Sequence, residues 1–135
     1  MKKILKKGFT LIELLVVIAI IAILISVGSV SYTRSLKLSR DSRRKTDLEQ
    51  LRQALETYRS ETGTYPTSAT FSTDLVPNYI TSIPADPKSY LYPYNRLTAT
   101  TYTLCASLEV TPASGSTASC GSCGTTACNY RVVQP

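Results

Sequence analysis

The sequence predicts an α+β chain: one long N-terminal helix, membrane-spanning in its first half and amphipathic in its second, packed on a small antiparallel β-sheet. Three observations carry this. The run "LLVVIAIIAILI" within Phe9–Val30 is apolar on every face. Leu48, Leu51, Leu55 and Tyr58 then recur at three- and four-residue spacing, the stripe of a one-sided helix. Beyond Gly63 the chain becomes rich in Thr, Ser, Pro and Tyr and holds three short β-prone runs.

Residues 9–30 come first. They would extend about 33 Å as a helix, against a hydrocarbon core near 30 Å, so they can span a bilayer. A buried core helix is the poorer reading, because a domain of this size has no interior able to surround a helix that is apolar all round. One carboxylate, Glu13, stands inside the run. An unpaired charge at mid-bilayer costs roughly 2.5–3.5 kcal/mol on insertion scales, so Glu13 requires a partner.

The net charge of +6 does not by itself point to nucleic acid, since Lys2, Lys3, Lys6 and Lys7 all precede the apolar run. Basic residues flank the run on both sides and leave its orientation open. The four cysteines help, as all fall in the last third of the chain. A small domain with an even cysteine count is more often disulfide-stapled outside the cytoplasm, which places the N-terminus inside.

A secretory signal has its small-residue cleavage site after the apolar stretch. Here the order is reversed: Gly8 lies between "KKILKK" and "FTLIELLVV". In Gly8, Phe9, Thr10, Leu11, Ile12 and Glu13, with basic residues before and the apolar stretch after, the sequence resembles the type IV pilins and pseudopilins. The resemblance implies a leader, residues 1–8, that a membrane-embedded prepilin peptidase removes by cutting between Gly8 and Phe9. It implies methylation of the new Phe9 amine, with the apolar segment kept. It also supplies the partner of Glu13: the Phe9 amine of a neighbouring subunit, an ammonium–carboxylate pair that favours assembly and helps fix register. The alternative is a pairing inside one chain, with Phe9 or with the positive end of the helix.

The helix is expected to continue through residues 31–62, since no Pro occurs between Phe9 and Glu61 and Gly63 suits a position just past a helix end. Its weak point is "SVGSVS", Ser26–Ser31, where unwinding near Gly28 stays open. Arg44, Lys45, Glu49, Arg52, Glu56 and Arg59 fall off the apolar stripe and are assigned to other faces. Residues 63–135 form the head. "GTYPTSATFSTDLVPNYITSIPADP" reads as a connecting loop with short ordered pieces. "SYLYPYN", "TYTLCASLEV" and "NYRVV" are the expected strands, with a turn near Arg96–Thr100 between the first two. "R-x-A-L-x-x-Y", "G-T-Y-P" and "I-P-A-D-P" also look like the head of a pilin or pseudopilin.

Cys105, Cys120, Cys123 and Cys128 could hold zinc, but outside the membrane disulfides are the preferred reading. A redox CxxC is disfavoured because no helix opens behind it to lower a thiol pKa. Four cysteines allow three pairings. If the second and third strands are neighbours, Cys105–Cys128 is the natural bridge, leaving Cys120–Cys123 to close a tight loop. "RDSRRK", Arg40–Lys45, reads as a solvated helix face or as charge contacts between filament subunits, in preference to a site for DNA phosphates. With no His, P-loop or GxSxG, no enzyme, metal or cofactor is expected. The reading that results is a structural subunit of a type IV pilus-like filament, with copies of itself, minor pilins, the prepilin peptidase and an inner-membrane assembly platform as partners. The alternatives are a pseudopilin of a type II secretion system, which lacks support from the missing Trp-Gly and calcium-binding loop, and a membrane-anchored zinc or redox module that does not polymerise.

Overall fold

The computed structural model describes residues 8–110 and 120–133, the side chain of Val30 excepted, so most of the expected leader lies outside it. One helix, α1, runs from Leu11 to Thr62. Its start is set by Thr10, whose carbonyl accepts the Leu14 N–H at 3.4 Å. The helix is unbroken through Gly28. There the Ser26 hydroxyl donates to the Ala22 carbonyl at 2.8 Å and Ser29 to that of Ile25 at 3.0 Å. Those bonds satisfy the side chains of poor helix formers within the helix itself, where they would otherwise compete with it. The end falls where the sequence places it. Gly63 adopts φ +80 and its N–H donates to the Arg59 carbonyl at 2.8 Å, closing the last turn in the left-handed region that glycine enters without steric cost.

The chain divides into two compact units, one up to Leu36 and one from Lys37 onward. In the first, the large apolar residues from Leu11 to Val27 are exposed. Among the described residues, α1 is the one helix long and apolar enough to cross a membrane.

The second unit has its own core. Leu48, Leu51 and Leu55 are fully buried, Ala54 nearly so, and they pack with Tyr65, Leu75, Tyr102, Leu104 and Ala106. Each fully buried leucine stabilises the fold by roughly 1.5–3 kcal/mol. Tyr58, the fourth residue of the expected stripe, is half-buried and meets Tyr79 edge to face at 5.3 Å. The connecting segment contains a short helix, α2, Phe71–Leu75, which brings Leu75 into the core.

Three strands, β1 Tyr94–Thr98, β2 Thr101–Ala106 and β3 Tyr130–Val133, form one antiparallel sheet in the order β1-β2-β3. The strand count and pairing match the sequence reading, but the boundaries differ, by one residue at the start of β3 and by more in β1 and β2. The first expected strand began at Ser89, yet Ser89–Pro93 is outside β1. The Leu91 N–H instead donates to the Cys123 carbonyl at 3.0 Å, while the carbonyl of Pro93, which has no N–H to give, takes the last sheet bond from Cys105. The turn is confined to Ala99 and Thr100, after an irregularity between Arg96 and Thr98. The second strand was expected to reach Val110 and stops at Ala106. Side chains take over the backbone groups beyond: Asn129 brackets Leu108, accepting its N–H and donating to its carbonyl, and Asp41 accepts the N–H groups of Glu109 and Val110.

Candidate functional site

The N-terminal end of α1 gathers the residues singled out for processing and assembly. Gly8 has open space around it and Phe9 is 80% exposed. Glu13 is engaged by its own helix. Its carboxylate accepts the Thr10 N–H at 3.4 Å and the Thr10 hydroxyl at 3.3 Å, and the Glu13 N–H donates back to that hydroxyl at 3.3 Å. This is a capping box, legible in the sequence as Thr-x-x-Glu just before an apolar run. All three bonds are long and exposed, and the acid sits where the positive end of the helix favours it. Within this chain the partner of Glu13 is therefore Thr10, and not the Phe9 amine.

The cysteines form two disulfides, Cys105–Cys120 and Cys123–Cys128, with Cα atoms 6.0 and 5.2 Å apart. No free thiol is left for zinc among them. The pairing differs from the expected Cys105–Cys128, although β2 and β3 are indeed neighbours. Register is the reason. Cys105 lies opposite Arg131, and Cys128 falls three residues before that position, roughly 10 Å along the strand and beyond the reach of a disulfide. Cys128 instead closes a tight loop on Cys123, held by Cys123 N–H to Thr126 carbonyl and Cys128 N–H to Gly121 carbonyl bonds.

Sequence reasoning missed a buried ionic cluster at the C-terminal end of β2. Arg44, assigned to solvent, is fully buried. Its guanidinium donates to Asp86 at 2.5 and 3.2 Å, to Asp41 at 2.7 Å and to Glu109 at 3.1 Å. Arg40 grips Glu109 with two bonds of 2.6 and 2.7 Å, and Lys88 reaches it at 2.9 Å. Three cations thus meet three carboxylates, and spare lone pairs take backbone N–H groups of Lys88 and Tyr90 at Asp86. The hydrogen bonds from Arg40, foremost, and from Lys88 and Arg44 outweigh burial and hold the Glu109 carboxyl far below the usual range. Burial pushes Asp86 up, but Arg44 and the two N–H groups more than offset it, and its pKa is lowered. "RDSRRK" is therefore not a uniformly solvated face: Asp41 and Arg44 are structural, while Ser42, Arg43 and Lys45 are exposed. The i,i+3 spacing of Asp41 and Arg44 was visible in the sequence, but nothing there brought Asp86 and Glu109 to them.

The acids outside the cluster are engaged too. Asp47 accepts from Tyr92, Glu49 from Arg52, Glu56 from Tyr65, Glu61 from Tyr79 and Asp74 from Tyr58. Arg43, Lys45 and Arg131 have no acid partner among the described residues, and Lys45 lies 5.6 Å over the Tyr130 ring.

Comparison with known proteins adds a decisive observation. Residues 5–29 match the prokaryotic N-terminal methylation motif, and residues 30–127 match the family described as "Type IV minor pilin ComP, DNA uptake sequence receptor". The chain belongs to the type IV pilin family. The pilin is also similar to the type IV major fimbrial protein FimA of Dichelobacter nodosus, in three sequences each 46% identical over 55 residues. That alignment covers 41% of the pilin and 34–35% of those relatives, about a third of their length. No solved structure matches it. As a member of this family the pilin is a structural subunit and not an enzyme.

Proposed function

We propose that the pilin is made as a membrane-anchored precursor, N-terminus in the cytoplasm, that the prepilin peptidase cuts after Gly8 and methylates at Phe9. An inner-membrane assembly platform then draws it into a pilus in which the apolar half of α1 lies at the centre. The observation that carries this reading is the run of exposed apolar residues from Leu11 to Val27 with one carboxylate, Glu13, near its start. Such a surface requires either lipid or copies of itself around it. Cleavage creates the amine that can replace Thr10 as the partner of Glu13. An ammonium–carboxylate contact in a dry bundle is stronger than exposed bonds of 3.3–3.4 Å to a neutral hydroxyl and amide. Mass spectrometry of the mature protein should find a methylated Phe9 at the N-terminus. Glu13→Ala should insert into the membrane normally and yield few or no filaments; wild-type filament numbers from that variant would refute the pairing. Long surface filaments on electron micrographs distinguish a pilus from a short secretion pseudopilus.

A second reading, DNA capture by the assembled subunit, is favoured by the exposed cations Arg43 and Lys45 and the half-buried Arg131, which no acid neutralises among the described residues, and by the description of the matching family. Duplex binding by the full chain should weaken in Lys45→Gln/Arg131→Gln and its salt dependence should flatten by about two phosphate contacts. Unchanged binding would remove those residues from the interface.

A further inference from the structure

The stretch of α1 that follows the apolar run has chemistry that neither processing nor filament packing uses. Tyr32 is 65% exposed and Arg34 is exposed. Arg34 lies four residues beyond Val30, about 6 Å along a helix, and the headgroup layer on each side of the hydrocarbon is roughly 5–8 Å deep. A tyrosine two residues beyond the apolar run sits where amphipathic rings prefer the membrane–water boundary. Lys37 follows three residues after Arg34, about 10 Å beyond Val30, from where a four-carbon stem leaning back toward the helix N-terminus reaches that layer. No Asp or Glu occurs between Glu13 and Asp41; Glu13 is engaged by Thr10, and every acid from Asp41 to Glu109 by a donor in the head. Arg40 and Arg44 differ: the carboxylates of Glu109, Asp86 and Asp41 hold both. The charges of Arg34 and Lys37 therefore have no intramolecular counterpart among the described residues.

We infer that Tyr32, Arg34 and Lys37 form a collar that binds anionic phospholipid headgroups where α1 leaves the bilayer, fixing the depth of the subunit in the membrane before assembly. This rests on the reading of α1 as membrane-spanning in the precursor. The ring of Tyr32 lies at the boundary and the two cations reach the phosphate layer, where each Lys or Arg close to an anionic surface strengthens association about fivefold. A zwitterionic headgroup has no net charge, so the collar discriminates between lipids. Drawing the subunit into a filament then requires release of these lipids.

The test uses the full chain in an uncharged detergent, titrated with phosphatidylglycerol or phosphatidylcholine and read by native mass spectrometry as bound lipids per chain. Wild type should retain phosphatidylglycerol preferentially, and the preference should fall as ionic strength rises. Arg34→Gln and Lys37→Gln should each reduce it about fivefold and the double variant about 25-fold, while Lys45→Gln leaves it unchanged. Circular dichroism confirms that helix content is kept. An unchanged preference in the double variant overturns the collar, and does so equally if that variant has lost duplex DNA binding instead. Carbonate extraction of cell membranes separates the two readings: release of the chain overturns both, whereas retention without a phosphatidylglycerol preference overturns the collar alone.

Discussion

Replacing Arg44 with Met removes the guanidinium and keeps most of the side-chain volume, leaving three carboxylates without their central cation. Four hydrogen bonds are lost, two to Asp86, one to Asp41 and one to Glu109. The damage is uneven. Glu109 keeps Arg40 and Lys88, and Asp41 keeps the N–H groups of Glu109 and Val110. Asp86, whose side chain is 1% exposed, keeps two N–H bonds and loses its only cation among the described residues. Removing one partner of a buried pair costs about 3–5 kcal/mol, and the surviving bonds place this variant near the lower end, at about 3 kcal/mol. For a head of this size that is a fall in melting temperature of roughly 12–24 °C. The assay is thermal unfolding of the full chain in detergent, followed by the near-ultraviolet circular dichroism of its nine tyrosines. Arg43→Met, the adjacent and exposed position, is the control and should shift stability by no more than about 0.5 kcal/mol. Asp86→Asn added to Arg44→Met should recover part of the loss, because the two changes share one contact. If Arg44→Met melts within about 3 °C of wild type, Arg44 is solvated and the buried cluster does not exist.

Three further outcomes are expected. Non-reducing peptide mapping should recover Cys105 linked to Cys120 and Cys123 linked to Cys128; replacing the first pair by Ser should cost about 3 kcal/mol and the second about 2, from the chain separations of 15 and 5 residues. The lowered pKa values of Glu109 and Asp86 mean that their contribution is complete above the ordinary carboxylate pKa near 4 and is lost progressively as pH falls below it, so melting temperature should decline on acidification and Glu109→Gln should flatten that decline. Gly63→Ala forces a side chain into φ +80 and should destabilise the end of α1 by about 1 kcal/mol, read as earlier melting and faster amide exchange in the last turn.

What could be read from the sequence was what local rules encode. The apolar stripe of Leu48, Leu51 and Leu55 follows from helical periodicity, and the stop at Thr62 from one glycine, so both were in place before any tertiary contact was considered. β2 was recognisable because Tyr102, Leu104 and Ala106 face the core from alternate positions. The capping box needed only the four residues Thr10–Glu13. The cluster around Arg44 had no such signature. Periodicity assigns charges to water, and Arg44 escapes that rule only because residues 42 and 65 positions further on arrive beside it. Disulfide pairing failed for a related reason: the neighbours were right, but a bridge depends on register to within one residue, and β3 pairs Arg131 rather than Cys128 with Cys105.

The bond between Cys105 and Cys120 has a consequence for how this head can diversify. It pins both ends of the intervening peptide covalently, so lengthening that peptide changes the entropy of an already closed ring, by only about 0.6 kcal/mol for each doubling. The sheet edge where β3 docks is thereby insulated from what is inserted upstream. Descendants of this gene could lengthen the enclosed peptide beyond Val110, past Ala106, Leu108 and Glu109, and still deliver Tyr130 to its place beside Ala106.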